Sequence, residues 1–277
     1  MYKTLNTENY INFLNIFKTI RLFWITIVIL LAISCSSYSS SKSIIKKSVN
    51  IDYKKAALLN VELGRSYLAQ GYTERAKKKF LHALELMPNL AESHSGIGYF
   101  WEMVGEAKEA EKHYKKSIYL GKGNGLFYNQ YALFLCVNSR YKEANKNFIL
   151  AANDKSYTKT ADVYNNAGLC ALKYNDQQQA EQYLTKALYH DPRRINLFLE
   201  LANLNLDQKN FTAAENYLNR FYKNNKNKLT PSYLWLNIKL SKRLNQKDKI
   251  SSQGLLLKNL FPNSPEYNMY QSEYEKG

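Results

Sequence analysis

The sequence predicts an all-α chain folded as a solenoid of about six helical hairpins, and three observations lead there. Residues 57–90 place small and large side chains in a fixed order: Leu63 and Gly64, Tyr67, Gly71, Ala76, Phe80, Ala83 and then Pro88. Adding 34 to each number gives Ile97 and Gly98, Trp101, Gly105, Ala110, Tyr114 and Ser117, so the order recurs in phase. Composition agrees, with five prolines and eleven glycines in 277 residues, abundant Leu, Tyr, Lys, Asn and Ala, and little Val or Ile after residue 50.

Each hairpin follows from the same spacing. In the first unit, Leu63, Gly64 and Tyr67 fall on one helical stripe and Ala76, Phe80 and Ala83 on another. Gly71 breaks the chain between them, and Pro88 ends the second helix because it lacks a backbone donor. One such hairpin leaves a face uncovered, so it requires neighbours. The second unit spans 91–124. The third, 125–158, has Tyr131, Ala132, Leu135, Ser139, Ala144, Phe148 and Ala151. The fourth, 161–194, is displaced by two residues and has Ala167, Gly168, Ala171, Asn175, Ala180, Leu184, Ala187 and Pro192. The fifth, 195–228, keeps Leu201, Ala202, Ala214, Leu218 and Phe221 but has Asn205 where Tyr67 stands in the first. The sixth, 231–264, is looser: Trp235 and Ile238 suit a first helix, while Ser251 and Leu255 replace the alanine and aromatic of the second poorly. The repeat-bearing region is therefore 53–270, with a tail at 271–277.

These residues resemble the tetratricopeptide repeat over about 57–228. The resemblance implies a right-handed superhelix whose first helices line a concave groove, with repeat positions 2, 5, 9, 12 and 13 turned into it. In the first two repeats these are Leu58, Val61, Arg65, Leu68, Tyr99, Glu102 and Met103. In the next two they are Leu126, Asn129, Leu133, Val137, Asn165, Leu169, Leu172 and Lys173. So much Leu and Val fits an amphipathic helix or apolar peptide better than a clamp for a peptide carboxylate. The alternative for any one of these positions is packing against a neighbouring helix.

The N-terminus supplies an address. Lys18 and Arg21 precede an uncharged run at 22–32, too short for a relaxed bilayer span but suited to a signal peptide. Leu31-Ala32-Ile33-Ser34-Cys35 resembles a bacterial lipobox, which implies a signal peptide at 1–34 and acylation of Cys35. Ser36 is a residue that the lipoprotein pathway sends to the outer membrane. Residues 35–52 then form the acylated cysteine and a Ser- and Lys-rich tether. An uncleaved membrane anchor with Cys35 incidental is the other reading. The formal net charge is +16, or +14 once 1–34 are removed. That suits anionic lipid, an acidic partner or a solubilising surface, and a periplasmic address argues against nucleic acid.

Cys136 and Cys170 lie late in the first helices of consecutive repeats, and an even pair on adjacent elements in an oxidising compartment points to a disulfide. Two free buried thiols are the alternative. Around them, Asn129-Gln130-Tyr131-Ala132-Leu133-Phe134-Leu135-Cys136, Arg140-Tyr141-Lys142-Glu143-Ala144 and Asn166-Ala167-Gly168-Leu169-Cys170-Ala171-Leu172 resemble the type IV pilus biogenesis and stability lipoproteins. So does the ending, with Leu234-Trp235-Leu236 and Leu260-Phe261-Pro262-Asn263-Ser264-Pro265-Glu266-Tyr267. Lys239 departs from that family's small or apolar residue. The resemblance implies a monomeric, outer-membrane lipid-anchored pilotin on the periplasmic face. It would bind the pilus secretin subunit and promote its localisation and multimerisation.

No enzymatic chemistry is expected, nor a cofactor or metal. The run Gly121-Lys122-Gly123-Asn124-Gly125 lacks the strand before it and the Ser or Thr after its Lys that a phosphate loop needs, so it reads as a turn. His82, His94, His113 and His190 are scattered over different helices without zinc-ligand spacing. Lys77, Lys78 and Lys79 read as solvated helix surface. Two rivals remain: a repeat lipoprotein serving as adaptor for cell-wall enzymes or outer-membrane protein assembly, and a periplasmic hydrolase on a helical scaffold.

Overall fold

Phe80 explains why the small residues of the first repeat stand where they do. Its ring is fully buried, and a Cβ on Gly64 would lie 2.7 Å from it and one on Gly96 2.9 Å. Two backbones without side chains therefore close on one ring, one from the hairpin's own first helix and one from the next repeat. The computed structural model describes residues 52–275, in which thirteen α-helices and a terminal π-helical turn, Gln271–Glu275, follow one another with no strand among the described residues. The six hairpins are α1 Tyr53–Ala69 with α2 Thr73–Leu86, α3 Ala91–Met103 with α4 Ala107–Leu120, and α5 Gly125–Val137 with α6 Tyr141–Asn153. They continue as α7 Thr160–Lys173 with α8 Gln177–His190, α9 Leu197–Asp207 with α10 Phe211–Asn224, and α11 Pro231–Arg243 with α12 Lys247–Leu260. A short helix, α13 Pro265–Tyr270, follows. The expected signal peptide, Cys35 and the tether up to residue 51 lie outside the described residues.

All six hairpins turn in one way. The residue fifteen places into each repeat takes a left-handed backbone: Gly71, Gly105, Ser139, Asn175, Lys209 and Asn245, with φ between 57° and 85°. The next amide then reaches back five residues to a carbonyl of the first helix, as in Tyr72 N–H to Tyr67 (2.8 Å), Arg140 N–H to Leu135 (2.9 Å) and Gln246 N–H to Ser241 (2.9 Å). This satisfies carbonyls that the helix end would otherwise orphan.

Stacking follows from what the helices bury. Within the first four repeats, successive first helices approach one another closely, whereas successive second helices pack only on first helices. The closer spacing places the first helices on the inner, concave side. Apolar clusters bridge repeats rather than staying within them. The largest runs from Ala110 to Tyr183 and contains Cys136 and Cys170. Their Sγ atoms are bonded at 2.02 Å across a Cα separation of 6.1 Å, joining α5 to α7. Polar contacts also cross between repeats. Glu111 on α4 accepts from Tyr131 Oη (2.7 Å) and from Arg140 Nη1 (2.8 Å) of the third repeat. Burial pushes the Glu111 carboxyl up, but its Arg140, Lys115 and Tyr131 donors outweigh this and hold it down at about 2.

Departures from the repeat pattern have local causes. Ser117 replaces a buried alanine and donates its hydroxyl to the Tyr114 carbonyl at 2.7 Å. Asn205, fully buried where Tyr67 stands in the first repeat, donates to Glu181 Oε1 (3.1 Å) and to the Leu201 carbonyl (2.9 Å). The sixth repeat corrects the sequence reading: Ser251 and Leu255 are exposed, and the inward positions are Ile250, Gly254 and Leu257. Gly254 stands where Phe80 stands in the first repeat. A Cβ there would lie 2.0 Å from the Tyr270 ring, so α13 supplies the aromatic that α12 lacks. The Gly121–Gly125 run is a turn, with Lys122 and Gly123 both left-handed and Asn124 capping α5 through its side chain. The histidines are closer than their sequence spacing suggests: His94 and His113 stack with Nδ1 atoms 3.0 Å apart, because α3 and α4 are the two arms of one hairpin.

Candidate functional site

The inner face is built by α1, α3, α5, α7, α9 and α11, and polar and cation–π contacts tie its helices to their neighbours. Arg65 lies over the Tyr99 ring, 5.2 Å from its centroid. Asn166 donates to Asn129 at 3.2 Å, Ser95 to Gln130, and the Tyr174 hydroxyl to the Cys136 carbonyl at 2.7 Å. Glu102 accepts from the Tyr114 hydroxyl at 2.6 Å. Burial raises the Glu102 carboxyl above the usual carboxylate range, and the Tyr114 hydrogen bond offsets part of that rise.

The residues named from sequence divide into two groups. Met103, Leu133, Val137, Leu169 and Lys173 are exposed, and the four apolar ones form an open stripe along α3, α5 and α7. Leu58, Arg65, Leu68, Tyr99, Glu102, Leu126, Asn165 and Leu172 are half-buried. Val61 and Asn129 are closed off between helices, Val61 in the apolar cluster around Phe80. Tyr99 and Leu172 likewise pack on core clusters with one side and face the groove with the other.

A second part of the inner face lies beyond these residues. No Cα of α7 comes within 8 Å of one in α9, so these two first helices stand further apart than any other consecutive pair, with Ala171 and Leu172 of α7 still packing on the apolar clusters of α9. Past that point is a cleft of about 480 Å³ lined by Asn196, Leu199, Glu200, Asn203, Trp235 and Glu266 among others. Of its lining residues, Asn203 accepts at Oδ1 from Lys239 at 2.7 Å, and Ser232 donates to Glu266 Oε1 at 2.6 Å. Asn196, Leu199, Asn203, Ser232, Trp235 and Lys239 occupy the same repeat positions that named the earlier groove residues. Extending that rule to the fifth and sixth repeats finds them, while Glu266 comes from α13 and has no repeat signal.

The chemistry available is recognition. The exposed apolar stripe suits an aliphatic face, and the cleft offers amides, an indole and two carboxylates to a segment carrying a basic side chain. Among the described residues no group of three or more His, Cys, Asp or Glu is placed to hold a metal.

Comparison with known proteins places this geometry. The tetratricopeptide-repeat profile matches residues 161–194. The type IV pilus assembly protein PilF of Pseudomonas aeruginosa is 32% identical over 213 residues, covering 77% of this chain and 84% of PilF. The solved structure of Pseudomonas aeruginosa PilF superposes with a TM-score of 0.64 at 31% identity, over 80% of this chain and 99% of that one. PilW, described as a widely conserved type IV pilus biogenesis factor, shares the fold with a TM-score of 0.65 at 21% identity, over 77% and 97% of the two chains. Identity at this level over most of PilF's length shows that the chain belongs to the tetratricopeptide-repeat family of type IV pilus assembly proteins represented by PilF.

Proposed function

We propose that this chain acts in type IV pilus biogenesis as an outer-membrane lipoprotein scaffold, a pilotin, whose inner face binds the pilus secretin subunit and promotes its localisation and multimerisation. The observation that carries the reading is kinship with PilF over most of both chains. Three features of the chain support it. The inner face presents an open apolar stripe and a polar cleft, both matched to capture of a polypeptide segment. Cys35 in its lipobox-like setting provides a lipid anchor. The 53–270 repeats then supply a rigid carrier joined to that anchor by the tether. Binding rather than catalysis is the work assigned to every groove residue. Deleting the gene and fractionating the cells tests this: heat-stable secretin multimers should disappear from the outer membrane, and Cys35→Ala should leave the secretin mislocalised. Normal multimers in the outer membrane of the deletion strain overturn the proposal.

A further inference from the structure

Charge is shared unevenly among the helices. The central groove helices α3, α5, α7 and α9 carry Glu92, Glu102, Asp162, Glu200 and Asp207 against Lys173, while the terminal groove helices α1 and α11 are basic, with Lys54, Lys55, Arg65, Lys239, Lys242 and Arg243 against Glu62. The outer helices α2, α4 and α6 carry ten Lys or Arg against five Glu. Lys78, Lys112 and Lys146 hold one position in three consecutive repeats, and all three are exposed, so they form a row across the outer face. Lys78 and Lys146 make no ion pair among the described residues, and Lys112 meets Glu109 at 3.2 Å between two exposed groups, which contributes little. One turn past Lys78 and Lys146 on the same helices, Leu81, Ile149 and Leu150 are 41%, 43% and 48% exposed, and two turns past Lys112 Tyr119 is 76% exposed. Cations beside exposed aliphatic and aromatic side chains make a surface that lies well against a layer of anionic headgroups.

We infer that the outer face of the first three repeats docks on an anionic lipid surface, with Lys78, Lys112 and Lys146 as its row of headgroup contacts. Charge and chain length both choose this occupant. Seventeen residues separate Cys35 from Tyr53, a reach of at most about 60 Å, so an acylated Cys35 keeps these repeats near the bilayer; this part rests on the lipid-anchor reading. Docked in this way, the groove faces away from the lipid and stays open to a partner.

Flotation with vesicles tests the inference apart from the anchor. Residues 36–277 contain the whole repeat unit, Tyr53–Gly277, whose apolar clusters are built from its own side chains, and lack both the apolar run and Cys35. This protein should float with vesicles of phosphatidylglycerol and phosphatidylcholine, and not with phosphatidylcholine alone, in a salt-sensitive manner. The triple variant Lys78→Glu, Lys112→Glu, Lys146→Glu should bind roughly a hundredfold less, at about fivefold or more per lysine. The control Lys223→Glu, Lys247→Glu, Lys258→Glu changes net charge equally and should stay within about twofold of the parent. Amine acetylation of the unmodified protein gives a readout independent of variant folding, and vesicles should protect Lys78, Lys112 and Lys146. Equal loss in both triples, no protection, or no preference for phosphatidylglycerol each overturns the inference. A soluble acidic protein would then be the better partner for the row. These outcomes leave the secretin reading standing, since that is read from the deletion strain.

Discussion

The turn residue at the fifteenth place of each repeat is where single side chains matter most for the backbone. The left-handed region costs a residue with a Cβ about 1–2 kcal/mol, while glycine enters it freely and loses more entropy on folding. Gly71 and Gly105 occupy it in the first two repeats, Asn175 and Asn245 tolerate it, and Ser139 and Lys209 sit at φ near 61–62° with neither advantage. Ser139→Gly and Lys209→Gly are therefore expected to stabilise the fold by about 0.5–1 kcal/mol each. Gly71→Ala should destabilise it by about 1 kcal/mol through the backbone alone, because a Cβ there meets nothing within 4 Å. Urea midpoints of the three variants check this. A loss of stability in both glycine variants would mean that the Ser139 and Lys209 side chains contribute something their positions do not show.

At the scale of elements, the sixth hairpin shows how one helix completes another. In the first repeat Gly64 receives the Phe80 ring, and in the fourth a Cβ on Gly168 would lie 2.7 Å from Leu184, so a small residue on the first helix meets a large one on the second. In the sixth the large position is Gly254, and Tyr270 enters from α13 to fill it, stacking in turn on Tyr267. Tyr270→Ala should cost about 3 kcal/mol by leaving a cavity, and Gly254→Leu should destabilise by driving a side chain into the Tyr270 ring. The double variant should recover much of both losses, since the leucine introduced on α12 would then fill the space as Leu184 does in the fourth repeat. Simple additivity in that double-mutant cycle would show that the two residues do not share one site. The same hairpin marks the limit of what the sequence discloses. Four repeats were legible because Gly, Ala and Phe recur at fixed places, and the concave residues of those repeats followed from position. The part of the cleft made by Glu266 was not, because α13 lies outside the repeat and reaches the site only through tertiary packing. The His94–His113 contact was hidden for a related reason: hairpin closure brings together positions nineteen apart that share no sequence motif.

At the scale of the whole repeat unit, a solenoid's stability is a sum of repeat and interface contributions, and it need not be uniform. The apolar cluster of repeats two to four is the largest in the described chain, and the Cys136–Cys170 bond closes a loop of 34 residues inside it. Chain entropy alone gives such a loop about 4 kcal/mol of stabilisation. Among the described residues the ends have less: α1 and α2 have a neighbouring repeat on one side, and the last hairpin depends on the six-residue α13 for closure. Native-state hydrogen exchange should therefore be slowest in α5 to α8 and fastest in α11 to α13, with the first hairpin between. Reduction of the disulfide should bring α5 to α8 down by up to about 4 kcal/mol while leaving α11 to α13 nearly unchanged, because nothing in their core touches the bonded pair. A single exchange free energy throughout, moving as one on reduction, would mean that the repeats unfold together. The inner face would then be as rigid at the Trp235 cleft as along the Leu133 and Leu169 stripe. A gradient instead leaves the cleft end freer to adjust to a bound segment, and the locked centre as the fixed frame against which that adjustment is made.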